Sequence, residues 1–208
     1  MSSIKELQRI KDTLLKMARL TGESIDKVNS LFMINGDLEF RRKTWDEINE
    51  ITVILENLRK ELVTEVLVFI ARRQPLGLEL REAQIIISIA YDLYRISRYC
   101  KEMAKIDMLM MPESNVSRIE DIKRIINMAT YIVKSIVKDI EELKPLSEST
   151  VLSIDYEVDN EYSKVLKEVA TRELVSRETA CKVLLMRHIE RIVDHVVYIE
   201  QYLKELQS

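Results

Sequence analysis

Six residues carry nearly all the punctuation of this 208-residue chain: Gly22, Gly36, Gly77, Pro75, Pro112 and Pro145. Each Gly or Pro in a helix interior costs about 1 to 3 kcal/mol relative to Ala, so these residues tend to mark where elements stop. So few of them leave room for only a handful of turns, and the elements between must be long. The intervening stretches are 47% hydrophobic and 32% charged overall, the mixture of long amphipathic helices packed on one another. No stretch alternates with period two for long enough to predict a strand.

The hydrophobic periodicity predicts six helices. The first begins at a capping box, Ser3-x-x-Glu6, and carries its apolar stripe through Ile4, Leu7, Ile10, Leu14, Met17, Ile25, Val28 and Leu31. Gly22 falls inside it as a point of weakness, and Asn35-Gly36-Asp37 ends it. The second runs from about Glu39 to Arg73 on a heptad of Ile48, Ile51, Leu55, Leu58, Leu62, Val66 and Phe69, and Pro75 and Gly77 close it. The third, about Leu78 to Met103, is apolar on nearly every side and belongs in the middle of a bundle. A loop from Met108 to Val116 follows. A second capping box, Ser117-x-x-Glu120, opens a fourth helix that Lys144-Pro145 stops. Ser147 to Thr150 read as a polar connector, the fifth helix as Ser153 to Leu174, and the sixth as Ser176 to Leu206.

Helices three and six invite superposition. Setting Arg95-Ile96 over Arg191-Ile192 also places Arg81-Glu82 over Arg177-Glu178 without a gap. With the recurring order of two long helices and one apolar helix, this predicts an all-α fold of two tandem three-helix bundles related by pseudo-two-fold symmetry. The first unit is 1–111 and the second 112–208, joined near Pro112. A single helical domain without duplication is the competing arrangement.

Composition removes several functional classes. The formal net charge is −3 with both signs mixed throughout, so the basic footprint for nucleic acid is missing. No apolar run approaches the ~18 residues of a membrane span, and Met1-Ser2-Ser3-Ile4-Lys5 enters the amphipathic pattern directly, as expected of a cytoplasmic protein. Cys100 and Cys181 both lie in apolar helical stretches and read as buried thiols, not zinc ligands. No Gly-rich phosphate loop, nucleophile elbow or Glu-x-x-His motif is present, so the chain reads as a binding protein and not an enzyme.

Two acidic pairs in the second unit stand apart. Asp155 and Asp159 are four apart on the fifth helix, and Glu190 and Asp194 are four apart on the sixth. Side chains at i and i+4 share a helix face, so on adjoining helices four carboxylates could meet and a cation would turn their repulsion into coordination. All-oxygen ligands suit Mg²⁺, Mn²⁺, Ca²⁺ or oxidised iron, and Zn²⁺ accepts them. The plainer reading is a solvated helix face, because 35 acidic residues generate such pairs by chance, Asp46 and Glu50 among them. His188 and His195 are the two histidines. His195 points about 100° away from Asp194, and both histidines read as solvated or packing residues. Tyr91, Tyr94, Tyr99 and Tyr198 read as core or interface packing.

Several segments resemble the PhoU family. Ala71-Arg72-Arg73-Gln74-Pro75-Leu76-Gly77-Leu78-Glu79-Leu80-Arg81 is similar to that family's "RQP…DLR" junction. Asp92-Leu93-Tyr94-Arg95-Ile96-Ser97-Arg98 stands where the family carries "LERIGD", and Ile189-Glu190-Arg191-Ile192-Val193-Asp194-His195 matches "LERIGDH" closely. Ile154-Asp155-Tyr156-Glu157-Val158-Asp159 resembles its "D-x-x-I-D" segment. The resemblance spans about Leu14 to Leu203. It implies the paired three-helix fold, metal binding at acidic motifs, and negative regulation of phosphate uptake and cellular phosphate homeostasis, acting through a phosphate ABC transporter and its sensor kinase. It further implies a metal ion (iron, zinc, manganese or magnesium) held by Asp155, Asp159, Glu190 and Asp194, and a homodimer is expected.

The first unit departs from that pattern. Tyr94 and Arg98 occupy the positions of the family's Glu and Asp, and Thr52 and Glu56 fall where it has two aspartates. The resemblance therefore implies that the first unit has lost its metal site and the second has kept one. A helical adaptor with no metal requirement is the alternative, since Tyr and Arg are enriched at interfaces. A carboxylate-based metal hydrolase ranks last for want of histidine ligands.

Overall fold

In the computed structural model, which describes residues 3–34, 36–110, 120–145 and 147–207, the chain forms six α-helices. They are α1 (Ser3–Met33), α2 (Leu38–Arg73), α3 (Leu78–Met110), α4 (Glu120–Glu142), α5 (Glu148–Ala170) and α6 (Arg177–Glu205). No strand occurs among the described residues. The all-α fold of six helices expected from the sequence is the one present.

The helix ends follow local chemistry. Asp37 caps α2 by accepting a hydrogen bond from the Phe40 N–H at 2.8 Å, and Gln74, at φ 49°, ends it by donating its N–H to Ile70 O. Ser176 caps α6 by accepting from the Thr179 N–H at 3.1 Å. Leu143, at φ 51°, turns the chain out of α4 while the Lys144 N–H reaches back to Asp139 O at 3.0 Å.

Several boundaries differ from the sequence expectation. α1 runs unbroken through Gly22, where a Cβ would stand 3.4 Å from Val137 Cγ2 of α4, at the edge of ordinary van der Waals contact. Ser3 is already helical, and the Glu6 carboxylate accepts from Arg73 Nε at 2.9 Å. α3 continues past Met103 to Met110 because Met103, Ala104 and Ile106 remain buried and Asp107 is tied to α2. α5 starts at Glu148 in place of Ser153, since burial of Val151 draws the supposed connector into the helix. It stops at Ala170, and Leu174 lies in the exposed turn beyond. The second capping box at Ser117, the loop around Pro112 and the expected boundary between residues 111 and 112 lie outside the described residues.

α1 packs on α2 and α3, and α4 and α5 pack on α6; α3–α6 and α1–α4 contacts join the two sets. One continuous apolar core runs from Leu14 and Met17 of α1 through Leu55, Ile89 and Leu93 to Ile126, Ile189 and Val193. The register that sets Arg95 over Arg191 also sets Asp92 over His188 and Tyr99 over His195. Two contacts obey it: Asp92 meets His195, and Tyr99 meets His188 with ring centroids 5.8 Å apart. Exchanging the members of one contact between α3 and α6 gives the other, which is what a two-fold relation requires.

Arg41 and Asp107 form a buried ion pair in the lower half of α3, with Nη1 donating to Oδ1 at 2.5 Å. Arg41 Nε also donates to Gly36 O at 3.2 Å, so one guanidinium ties the α1–α2 turn to the end of α3. Burial pushes the Asp107 carboxyl up, and the Arg41 hydrogen bond opposes that shift. Of the two cysteines, Cys100 is fully buried, which pushes its thiol up to about 12, whereas Cys181 is only half-buried.

Candidate functional site

The four carboxylates singled out in the second unit lie within electrostatic reach of one another across α5 and α6. α5 buries Ile154 and Val158 against the core, which leaves Asp155 half-buried and Asp159 exposed along the edge of that face. α6 buries Ile189 and Val193 and leaves Glu190 and Asp194 half-buried beside them. Burial pushes Asp155 up from its ordinary range, and the charges of Asp159 and Asp194 add to the shift. Burial, Asp194 and Asp159 push Glu190 up to about 7 against the opposing pull of Arg187. Burial and Asp159 likewise raise Asp194. Each raised group thus responds to a carboxylate on the facing helix, so the patch is electrostatically one unit.

Two arginines from α6 already occupy part of it. Arg187 Nη1 donates to both oxygens of Glu190 at 2.7 Å, and Arg191 Nη1 donates to Asp194 Oδ2 at 2.9 Å. The Arg187 guanidinium also lies 5.6 Å from the Tyr162 ring centroid on α5. Among the described residues, no three Asp, Glu, His or Cys side chains stand close enough to share one ion in this arrangement. The donor set fits a hard cation in charge and chemistry, but Glu190 and Asp194 would have to turn from their arginines to close around one. The arginines at these positions were visible in the sequence; their competition for the carboxylates was not anticipated.

The matching face of the first unit has other contents. Thr52 is buried, and its hydroxyl donates to Ile48 O at 2.8 Å or Ser97 O at 3.3 Å. Glu56 is held by Lys60 at 2.7 Å, which lowers its carboxyl, and Arg98 adds to the shift. Arg59 stacks over Tyr94 with Cζ 5.3 Å from the ring centroid. One acidic residue among Arg59, Lys60 and Arg98 leaves this face without the carboxylate convergence of the second.

His195 is not solvated, as one of the two sequence readings allowed. It is buried, with Nδ1 2.7 Å from Asp92 Oδ1 and its ring centroid 5.7 Å from both Tyr99 and Tyr198. It packs between the halves and faces away from the acidic patch, so it is not a ligand. His188 is half-buried against Tyr99, and burial holds its imidazole below the usual range. Asp92 was missed as a site residue; its place in the segment that departs from the family pattern was the available signal.

Among the described residues no helix is long and apolar enough to cross a membrane. Residues 14–107, most of the first three helices, match the family profile described as PhoU domain. A relative from Synechocystis sp., named phosphate-specific transport system accessory protein PhoU homolog, is 24% identical over 94% of this chain and 86% of its own length. One of the same name from Rhizobium meliloti is 27% identical over 95% of this chain and 83% of its own. The crystal structure of PhoU from Pseudomonas aeruginosa superposes with a TM-score of 0.86 at 22% identity, covering 99% of both chains. That of the phosphate transport system regulatory protein PhoU from Streptococcus pneumoniae gives 0.81 at 17% identity, covering 100% of this chain and 97% of its own. The domain match over residues 14–107, the relatives that extend across both halves and the shared fold agree in one respect: along nearly its whole length the chain is similar to PhoU proteins.

Proposed function

We propose that this protein is an accessory regulator of a phosphate transport system, restraining phosphate uptake by binding the transporter, its sensor kinase or both from the cytoplasmic side. The observation that carries this reading is the alignment of nearly the whole chain with proteins named as accessory to phosphate-specific transport. The family is one of regulatory accessory proteins and not of enzymes. A regulator of this kind needs only to bind two states of its partner unequally. The two units 1–111 and 112–208 supply related but chemically different faces for that purpose, and a homodimer would present two of each.

In this reading Asp155, Asp159, Glu190 and Asp194 hold a metal ion, with iron, zinc, manganese and magnesium as candidates. The raised carboxyls of Asp155, Glu190 and Asp194 support it: burial raises them first and mutual repulsion adds to it, and a cation would relieve that repulsion. A metal-independent helical adaptor is favoured instead by Arg187 and Arg191, which already neutralise half of the patch.

Deleting the gene in its host and measuring phosphate uptake tests the regulatory reading. Uptake in high-phosphate medium should rise and return to normal when the intact gene is restored. Unchanged uptake in the deletion strain would refute it.

A further inference from the structure

We infer that two copies of this chain dock face to face, the acidic patch of each seated on the arginine-bearing face of its partner's first unit. The pairing rests on the homodimer proposed above, and not on a role in phosphate uptake. Both faces open on one side of the molecule. α3 and α6 run antiparallel: Asp92 meets His195, Tyr99 meets His188, and Arg177 Nη2 donates to Leu109 O at 2.7 Å. A two-fold relation between antiparallel neighbours has its axis normal to the plane they share, so it keeps equivalent faces on the same side. α1 and α4 pack on each other and on α3 and α6, and they fill one side of that plane. On α2, Glu47 and Glu65 turn toward α1, held by Lys27 at 2.9 Å and Arg9 at 3.1 Å. Glu56 stands about 180° around the helix from both. On α5, Glu157 pairs with Arg124 of α4, and Asp155 and Asp159 stand about 160° around from it. Both faces therefore look away from the α1–α4 side.

The two faces are opposite in charge. In the first unit Arg98 is exposed, one turn beyond Tyr94, over which Arg59 of α2 stacks. Glu56, the one carboxylate among these residues, is already paired with Lys60 at 2.7 Å. Three cations thus face one anion. In the second unit four carboxylates face two arginines, Arg187 and Arg191. Exposed apolar groups accompany the charges. The register that sets Thr52 over Asp155 sets Val53 over Tyr156, and they are 50% and 73% exposed. Tyr91, seven residues before Arg98, and Tyr198, four after Asp194, meet the His195 ring at the α3–α6 seam and are also exposed. Aromatic residues at the centre with complementary charge to either side suit a protein interface.

Charge selects one arrangement. Turning the second copy about an axis parallel to α3 brings each first unit onto the other's second unit, and two identical contacts close the dimer. Turning it about an axis across the helices would set acid on acid. The favoured turn preserves height along the helices. Arg98, beside Tyr99 and so nearly level with His188, arrives at the partner's Glu190, with the partner's Asp159 across from it on α5. The layer α2–α3–α6–α5 is about 40 Å wide, and the 23 residues of α5 give it a length of roughly 35 Å. That exceeds the about 800 Å² per partner that a stable interface takes.

Sedimentation velocity of the full chain in metal-free buffer of low ionic strength tests the pairing. The wild type should dimerise, and its dissociation constant should rise with added salt. Arg98→Glu and Asp159→Arg each change an exposed side chain and set like charges together in both contacts. Each should weaken self-association by about tenfold or more. Mixed in equal amounts, the two variants should associate more tightly than either alone, because one contact is native and the other has its charges exchanged. A wild type still monomeric at about 0.1 mM, where an interface of this size should hold, would overturn the inference. Variants that dimerise as tightly as the wild type would place the dimer interface elsewhere and refute this one. A mixture no tighter than its components would refute it too. Phosphate uptake in the deletion strain is a separate readout, so failure of this interface leaves the transport role standing.

Discussion

Nδ1 of His195 lies 2.7 Å from Oδ1 of Asp92, a polar contact between α6 and α3 across the pseudo-two-fold relation of the two halves. Both side chains are buried, Asp92 at 2% exposure and His195 at 8%. With Asp92 ionised, Nδ1 carries the proton and donates it, which fixes the imidazole tautomer. Asp92→Ala removes the acceptor and leaves a buried N–H unpaired, so a loss of about 1–3 kcal/mol is expected. Urea unfolding measures it. Asp92→Asn retains an acceptor oxygen of similar shape and should lose less; equal losses would deny the hydrogen bond its role.

The Arg41–Asp107 pair makes a stronger demand on stability. Both groups are almost fully buried, so deleting one partner strands the other charge. Asp107→Asn should cost about 3–5 kcal/mol, while replacing both residues by apolar side chains of similar volume should cost less or nothing. The comparison of single and double variants by denaturant titration isolates the stranded charge. A double variant no better than Asp107→Asn would show that packing, not charge, dominates there.

These two contacts mark where sequence reasoning stopped. The six helices were legible because so few residues interrupt them, and the acidic patch was legible because i and i+4 spacing fixes a face. Arg41 and Asp107 are 66 positions apart, and each alone resembles a surface charge. Their meeting depends on α3 running beyond Met103, which local periodicity did not require. The start of α5 was misplaced for a related reason: Glu148, Ser149 and Thr150 are polar, and only the burial of Val151 against α6 makes them helical.

Glu190 should leave a signature in the pH dependence of stability. Its carboxyl is pushed up to about 7 from an ordinary 4.5, chiefly by burial and by Asp194. The native state therefore holds a proton that the unfolded chain loses above 4.5, and stability falls as pH rises from there to about 7. Glu190→Gln removes that proton from the balance, so its melting temperature should decline less than the wild type's over this window. Thermal melts at half-unit pH steps in metal-free buffer supply the comparison. Identical slopes would place Glu190 outside the coupled patch.

Metal addition sets the four carboxylates against the two arginines. A cation entering the patch must draw Glu190 from Arg187 and Asp194 from Arg191, so binding should release those guanidinium groups. At a hundredfold excess over Kd, a metal that binds only the folded chain stabilises it by about 2.7 kcal/mol. Melts with Mn²⁺, Mg²⁺, Zn²⁺ or Fe³⁺ should therefore shift upward for the wild type. Replacing Asp159 and Asp194 by Asn preserves shape but removes two ligand charges, and it should abolish the shift. Without metal the same double variant should be as stable as the wild type or more so, because repulsion with Asp155 and Glu190 is relieved. Replacing Arg187 and Arg191 by Gln removes the competitors, so its metal-induced shift should exceed the wild type's. If the wild type ignores every metal while the arginine double variant responds, the arginines close the patch and the adaptor reading stands. If neither responds, the four carboxylates are a solvated face held together by α6.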